Sequence, residues 1–127
     1  MSKILLAGIG GFAGSALRYV VAGLVQNWSG SIRFPFGTLA VNLAGCLVIG
    51  VLSQLAETRG LFSAEARILI FIGVLGGFTT FSAFGNETNN LWRDGQSALA
   101  AANIAGHLVL CLGAVWCSRA LAYQIWG

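Results

Sequence analysis

The chain has 127 residues, of which 57% are hydrophobic and only 9% are charged, with a net charge of +3. So little polar side chain cannot coat a water-soluble globule, and the missing solvent is lipid. The seven Lys and Arg residues stand singly, in neither a patch nor a stripe, which argues against nucleic acid as a partner.

Four apolar segments, about 4–26, 35–56, 66–91 and 97–123, are each long enough to cross a bilayer, which takes roughly 20 helical residues. They use nearly the whole length, so the sequence predicts a single all-α membrane domain over 1–127 of four transmembrane helices. The first segment follows Lys3 as a signal peptide would, but equally apolar sequence comes after it, and it reads as a membrane helix. Gly10 and Gly14 have the spacing that lets helices approach closely, as do Gly73 with Gly77 and Ala102 with Gly106, and association of copies is expected from them. Arg18, toward the far end of this first helix, either draws anions into a vestibule or snorkels to lipid headgroups.

In the second segment Asn42 puts a carboxamide in mid-span, where its hydrogens either donate to an anion or make an interhelical bond. The third segment holds Gly73, Gly76, Gly77, Thr79 and Thr80 in mid-span, which is poor helix material. Each glycine costs about 1 kcal/mol relative to Ala, and Thr diverts backbone bonding through its hydroxyl. Two readings stand on this pattern. A break near 76–80 would have to be buried or line a wet or ion-occupied cavity, with carbonyls suited to a bare cation and an amide end suited to an anion. A continuous helix would use the same glycines for packing.

Phe81, Phe84 and Thr88 follow on one helical face. Aromatic ring edges are positive and attract a small anion without a formal countercharge, although apolar stripes more often pack or face lipid. In the fourth segment Asn103, His107 and Cys111 recur at intervals of four, a face that suits a pore wall. His107 has no second His or mid-span carboxylate with which to relay protons. Cys46, Cys111 and Cys117 lack metal-ligand spacing and read as small packing residues. No nucleotide-binding loop, nucleophile elbow or zinc-protease motif occurs, so no enzymatic function is expected and no catalytic residue is assigned.

Four spans bring both termini to one side. Lys3, Arg59, Arg67 and Arg119 fall there, against Arg18, Arg33 and Arg93 on the other side. A near tie gives the insertion machinery little instruction, so both orientations are expected, and an antiparallel homodimer is the simplest closed assembly of them.

Four motifs then carry a resemblance: Gly10-Gly11-Phe12-Ala13-Gly14-Ser15-Ala16-Leu17-Arg18-Tyr19, Gly37-Thr38-Leu39-Ala40-Val41-Asn42-Leu43-Ala44-Gly45, Gly76-Gly77-Phe78-Thr79-Thr80-Phe81-Ser82-Ala83-Phe84, and Glu87-Thr88. Along essentially its entire length the sequence resembles the bacterial Fluc (CrcB) fluoride channels. The resemblance implies passive, fluoride-selective export of cytoplasmic fluoride across the inner membrane, through two pores of an antiparallel dual-topology homodimer with the third helix broken. It implies that Asn42 donates to fluoride and that Phe81 and Phe84 line the pores with ring edges, supplemented by Ser82, Thr88, Asn103 and His107. It also implies a structural sodium ion (Na+) on the dimer axis, held by the backbone carbonyls of Gly76 and Thr79. The chain departs from the family where Asn103 and Cys111 replace the usual Ser, Thr or Tyr, and where Ala83 and Gly85 replace Thr and Ser. A small multidrug antiporter, the rival of similar size, would need a central mid-span carboxylate, and the first three helices offer only Glu87 late in the third. A purely structural membrane subunit is a third reading, which predicts a protein that conducts nothing.

Overall fold

The computed structural model describes residues 2–127, and among these it contains helices and no strand. Four spans are long and apolar enough to cross a membrane: Lys3–Ser29, Phe36–Arg59, Ala64–Arg93 and Ser97–Trp126. We name the first two α1 and α2. The third divides into α3, residues 64–78, and α4, Phe81–Arg93, and the fourth is α5, Ser97–Trp126. No more than 28% of any span's apolar window is buried, and Phe12, Tyr19, Trp28 and Ile72 are exposed. Such an outward apolar surface is stable only against lipid or another protein surface.

The α1–α2 connection is organised by one side chain. Gln26 donates through Nε2 to Ser31 O (2.7 Å) and Phe34 O (3.0 Å), while its Oε1 accepts from Gly37 N–H at 2.9 Å. The last bond satisfies an amide in the first turn of α2, which no intrahelical carbonyl can reach.

Successive spans run in opposite directions, so α1 is parallel to the third span and α2 to α5. Each parallel pair shares a close seam. Along α1 and α3 the contact is backbone on backbone: a Cβ placed on Gly10 would run into Leu69 O and Gly73 Cα, and one on Gly14 into Val74 O and Phe78 N. A Cβ on Gly77 would lie 2.6 Å from Gly11 O. Two of the small-residue pairs expected to join copies, Gly10 with Gly14 and Gly73 with Gly77, therefore serve a seam inside the chain. Along α2 and α5, Asn42 meets His107, Gly50 meets Ser118, and Glu57 meets Arg119.

The third span is interrupted in mid-course, as its glycines and threonines suggested. Residues Ile68–Leu75 wind as a wide π-helix, Gly76–Phe78 form a last α-turn, and Thr79 (φ −92°, ψ 158°) and Thr80 (φ −153°, ψ 112°) are extended. Thr80 restarts the helix by accepting the Ala83 N–H on its Oγ1 at 3.2 Å, an N-cap that its hydroxyl is chemically suited to make. A second π-turn, His107–Cys111, lies in the middle of α5.

Candidate functional site

The break leaves backbone groups that the helix ladder no longer serves. Thr79 N–H still donates to Leu75 O at 3.0 Å, but Thr80 N–H turns to Asn42 Oδ1 at 2.7 Å. Gly76 O thereby loses its ladder donor to Asn42, and Thr79 O loses its own to the Thr80 cap, because Ala83 N–H is held there. Gly77 O accepts instead from Arg18 Nε at 2.9 Å. The carbonyls of Gly76 and Thr79, which lack ladder partners, are hard oxygen donors of the kind an alkali cation such as sodium takes, with the Arg18 guanidinium on the Gly77 carbonyl between them in the chain. Among the described residues no group of three His, Cys, Asp or Glu side chains is placed to hold a metal.

Asn42 stitches the break to the neighbouring helices. Its Nδ2 donates to Thr80 O at 3.0 Å and lies 3.1 Å from His107 Nε2. His107 Nδ1 lies 3.0 Å from Asn103 O, and a carbonyl can only accept, so Nδ1 carries the proton and Nε2 accepts from Asn42. Both hydrogens of the Asn42 amide are thus engaged. Asn103 Nδ2 extends the chain to Thr88 Oγ1 (2.9 Å), which donates to Phe84 O at 2.7 Å. Asn103 is fully buried, and its Oδ1 has no partner.

A cavity of about 380 Å³ opens beside this network. Its wall brings together Asn42, Phe81, Phe84 and His107, with Gly76 and Thr79 at the break. The Phe81 and Phe84 rings tilt against one another at 5.4 Å between centroids, and Phe84 lies 4.3 Å from the His107 ring. Phe81 is 82% exposed. Thr88 and Asn103 stand behind the wall and reach it only through hydrogen bonds, while Ser82 is exposed and lies 3.2 Å from Thr80 Oγ1. A polar mouth of about 950 Å³ at the other end of α4 is lined by Gln26, Arg33, Thr38, Glu87, Asn90 and Asp94 among others.

Arg18 lines neither space. α1 continues to Ser29, which puts Arg18 well inside the span, and its guanidinium is tied to the carbonyl that the break sets loose. A helix end without ladder donors is electronegative, so a cation is favoured there.

A family model described as CrcB-like protein, Camphor Resistance (CrcB), matches residues 5–119. The chain belongs to the CrcB family. Among curated relatives of this CrcB protein, the "Fluoride-specific ion channel FluC" of Methylobacillus flagellatus is 47% identical over 116 residues, 91% of each chain. That of Chlorobaculum tepidum is 47% identical over 126 residues, 99% of this chain and 98% of the relative. The "Fluoride-specific ion channel FluC 3" of Methanosarcina barkeri is 41% identical over 125 residues.

Several residues of the CrcB chain's site had no assigned role in the sequence. Thr80 supplies both backbone groups that Asn42 binds and the cap of α4. Thr38 Oγ1 donates to Glu87 Oε1 at 2.7 Å across the mouth, and Glu87 Oε2 is buried without a partner. All three lie inside the motifs that carry the resemblance, which was the available signal, but spacing alone does not say which groups meet.

Proposed function

We propose that this protein is a fluoride-selective passive channel of the cell membrane that lets cytoplasmic fluoride leave the cell. One observation carries the reading above all: relatives named as fluoride-specific ion channels match this chain at 47% identity over 91–99% of its length. The geometry is in keeping with it. Fluoride entering the cavity meets two rings and an amide, with no formal countercharge to trap it. To reach Asn42 the ion takes over a hydrogen now held by His107 Nε2 or Thr80 O, so one hydrogen bond is exchanged for another. Thr88, Asn103 and Ser82 support the route as donors or as braces of the wall.

The working unit on this reading is an antiparallel homodimer with two pores. Phe81 is a large apolar ring held beside a polar break, and a second copy would cover it. The near tie in basic residues permits both orientations in the membrane. Sodium, when bound, would satisfy the Gly76 and Thr79 carbonyls of both copies and so supply the electrostatic tie on the axis.

Fluoride efflux from proteoliposomes tests the function, with chloride as control ion. The wild-type chain is expected to release fluoride and retain chloride, and Phe81→Ile to slow release by about tenfold or more, a barrier change of about 1.4 kcal/mol. Wild-type vesicles that hold their fluoride would overturn the channel reading; unchanged flux in Phe81→Ile would overturn the route.

A further inference from the structure

The Asn42–His107 bond fixes the register of two parallel helices. One turn further along each, the same seam brings Cys46 of α2 and Cys111 of α5 to the wall of one cavity. Gly50 with Val115 and Ser118 makes the next rung. Both sulfurs belong to the wall of the central cavity; Cys111 is buried and Cys46 half-buried. Cys117, by contrast, is exposed on the outer face of α5.

We propose that Cys46 and Cys111 form a two-sulfur site for a soft monovalent cation of the Cu(I) or Ag(I) kind, set in the cavity wall. Thiolate sulfur selects such ions, which are content with two ligands. Zinc wants four ligands and no third is at hand: both nitrogens of His107 are held by Asn42 and Asn103. The charge also balances. One thiol loses its proton to water as the metal–sulfur bond forms, the other stays protonated and donates a lone pair, and the filled site is neutral. Neutrality matters because an uncompensated charge at this depth is costly. The site takes one cysteine from each of two helices, and it does not depend on what the cavity conducts.

The test uses the full chain with Cys117→Ser, purified in detergent and titrated with silver ion by calorimetry. One Ag+ is expected to bind per chain with release of about one proton, read by repeating the titration in buffers of different ionisation enthalpy. Cys46→Ser and Cys111→Ser should each weaken binding by more than about 100-fold, beyond the cost of losing an outer-shell partner. Two Ag+ per chain, with each variant removing one, would overturn the shared site, as would binding that neither variant alters. Should a variant not fold, alkylation of the parent chain decides: Ag+ must protect Cys46 and Cys111 from maleimide together. Protection of one alone, or of neither, would sink the proposal.

Discussion

The two seams of the bundle solve the same problem by opposite means. α1 meets α3 through what is missing, because Gly10, Gly14, Gly73 and Gly77 remove side chains until backbone touches backbone. α2 meets α5 through what is present, a row of amide, imidazole, thiol and hydroxyl groups. In lipid neither seam gains from the hydrophobic effect between helices, so close packing and polar bonds are the means that remain. The first seam anchors the half of the third span that precedes the break, while the second presents the cavity wall. One is scaffold and the other is chemistry, and the break is where they are tied, by Arg18 from α1 and Asn42 from α2.

Breaking the glycine seam should have the largest effect. In Gly14→Ala the new Cβ meets backbone atoms of Val74 and Phe78, which cannot swing aside as a flexible side chain could. The loss should be about 3 kcal/mol, the upper end for overpacking, read as a lowered thermal midpoint in detergent. Breaking the polar seam should cost less. Asn42→Ala leaves Thr80 N–H, Thr80 O and His107 Nε2 without their partner, and about 2 kcal/mol is expected from unpaired buried groups. His107→Phe in the same background should cost less than it does alone, because the bond it would break is already gone. Equal costs in both backgrounds would show that the rung contributes nothing. The smallest change sharpens the contrast from outside: a Cβ on Gly23 meets nothing. Gly23→Ala should leave the midpoint unchanged or raise stability by up to about 1 kcal/mol, the helix propensity difference. A loss there would mean that α1 has a further partner on its outer face.

Hydropathy made the four spans legible, and the cluster from Gly73 to Thr80 marked the one place where a helix had reason to stop. What remained hidden was azimuth. Helical spacing says that Gly10 and Gly14 share a face, but not that the face belongs to α3 rather than to another copy. The same blindness hid Arg18, whose partner is a carbonyl that exists as an acceptor only once the break has formed. It also made Cys46 and Cys111 look like unrelated packing residues, since 65 positions separate them and only the α2–α5 register joins them. The π-turns at Ile68–Leu75 and His107–Cys111 left no signal of their own, because neither needs a proline and both are built mainly from apolar residues that an α-helix would hold as well.

The rungs of the α2–α5 seam act as a clutch. Asn42 on His107 and Gly50 on Ser118 lie about two turns apart along α2, with Cys46 and Cys111 at the level between them, so α2 slides along α5 only by releasing both contacts together. The next position of fit lies a full turn away, about 5.4 Å along the axis. Gradual sliding of α2 along α5 is therefore disfavoured by the seam. The cavity wall that these two helices present is thereby set in a single register.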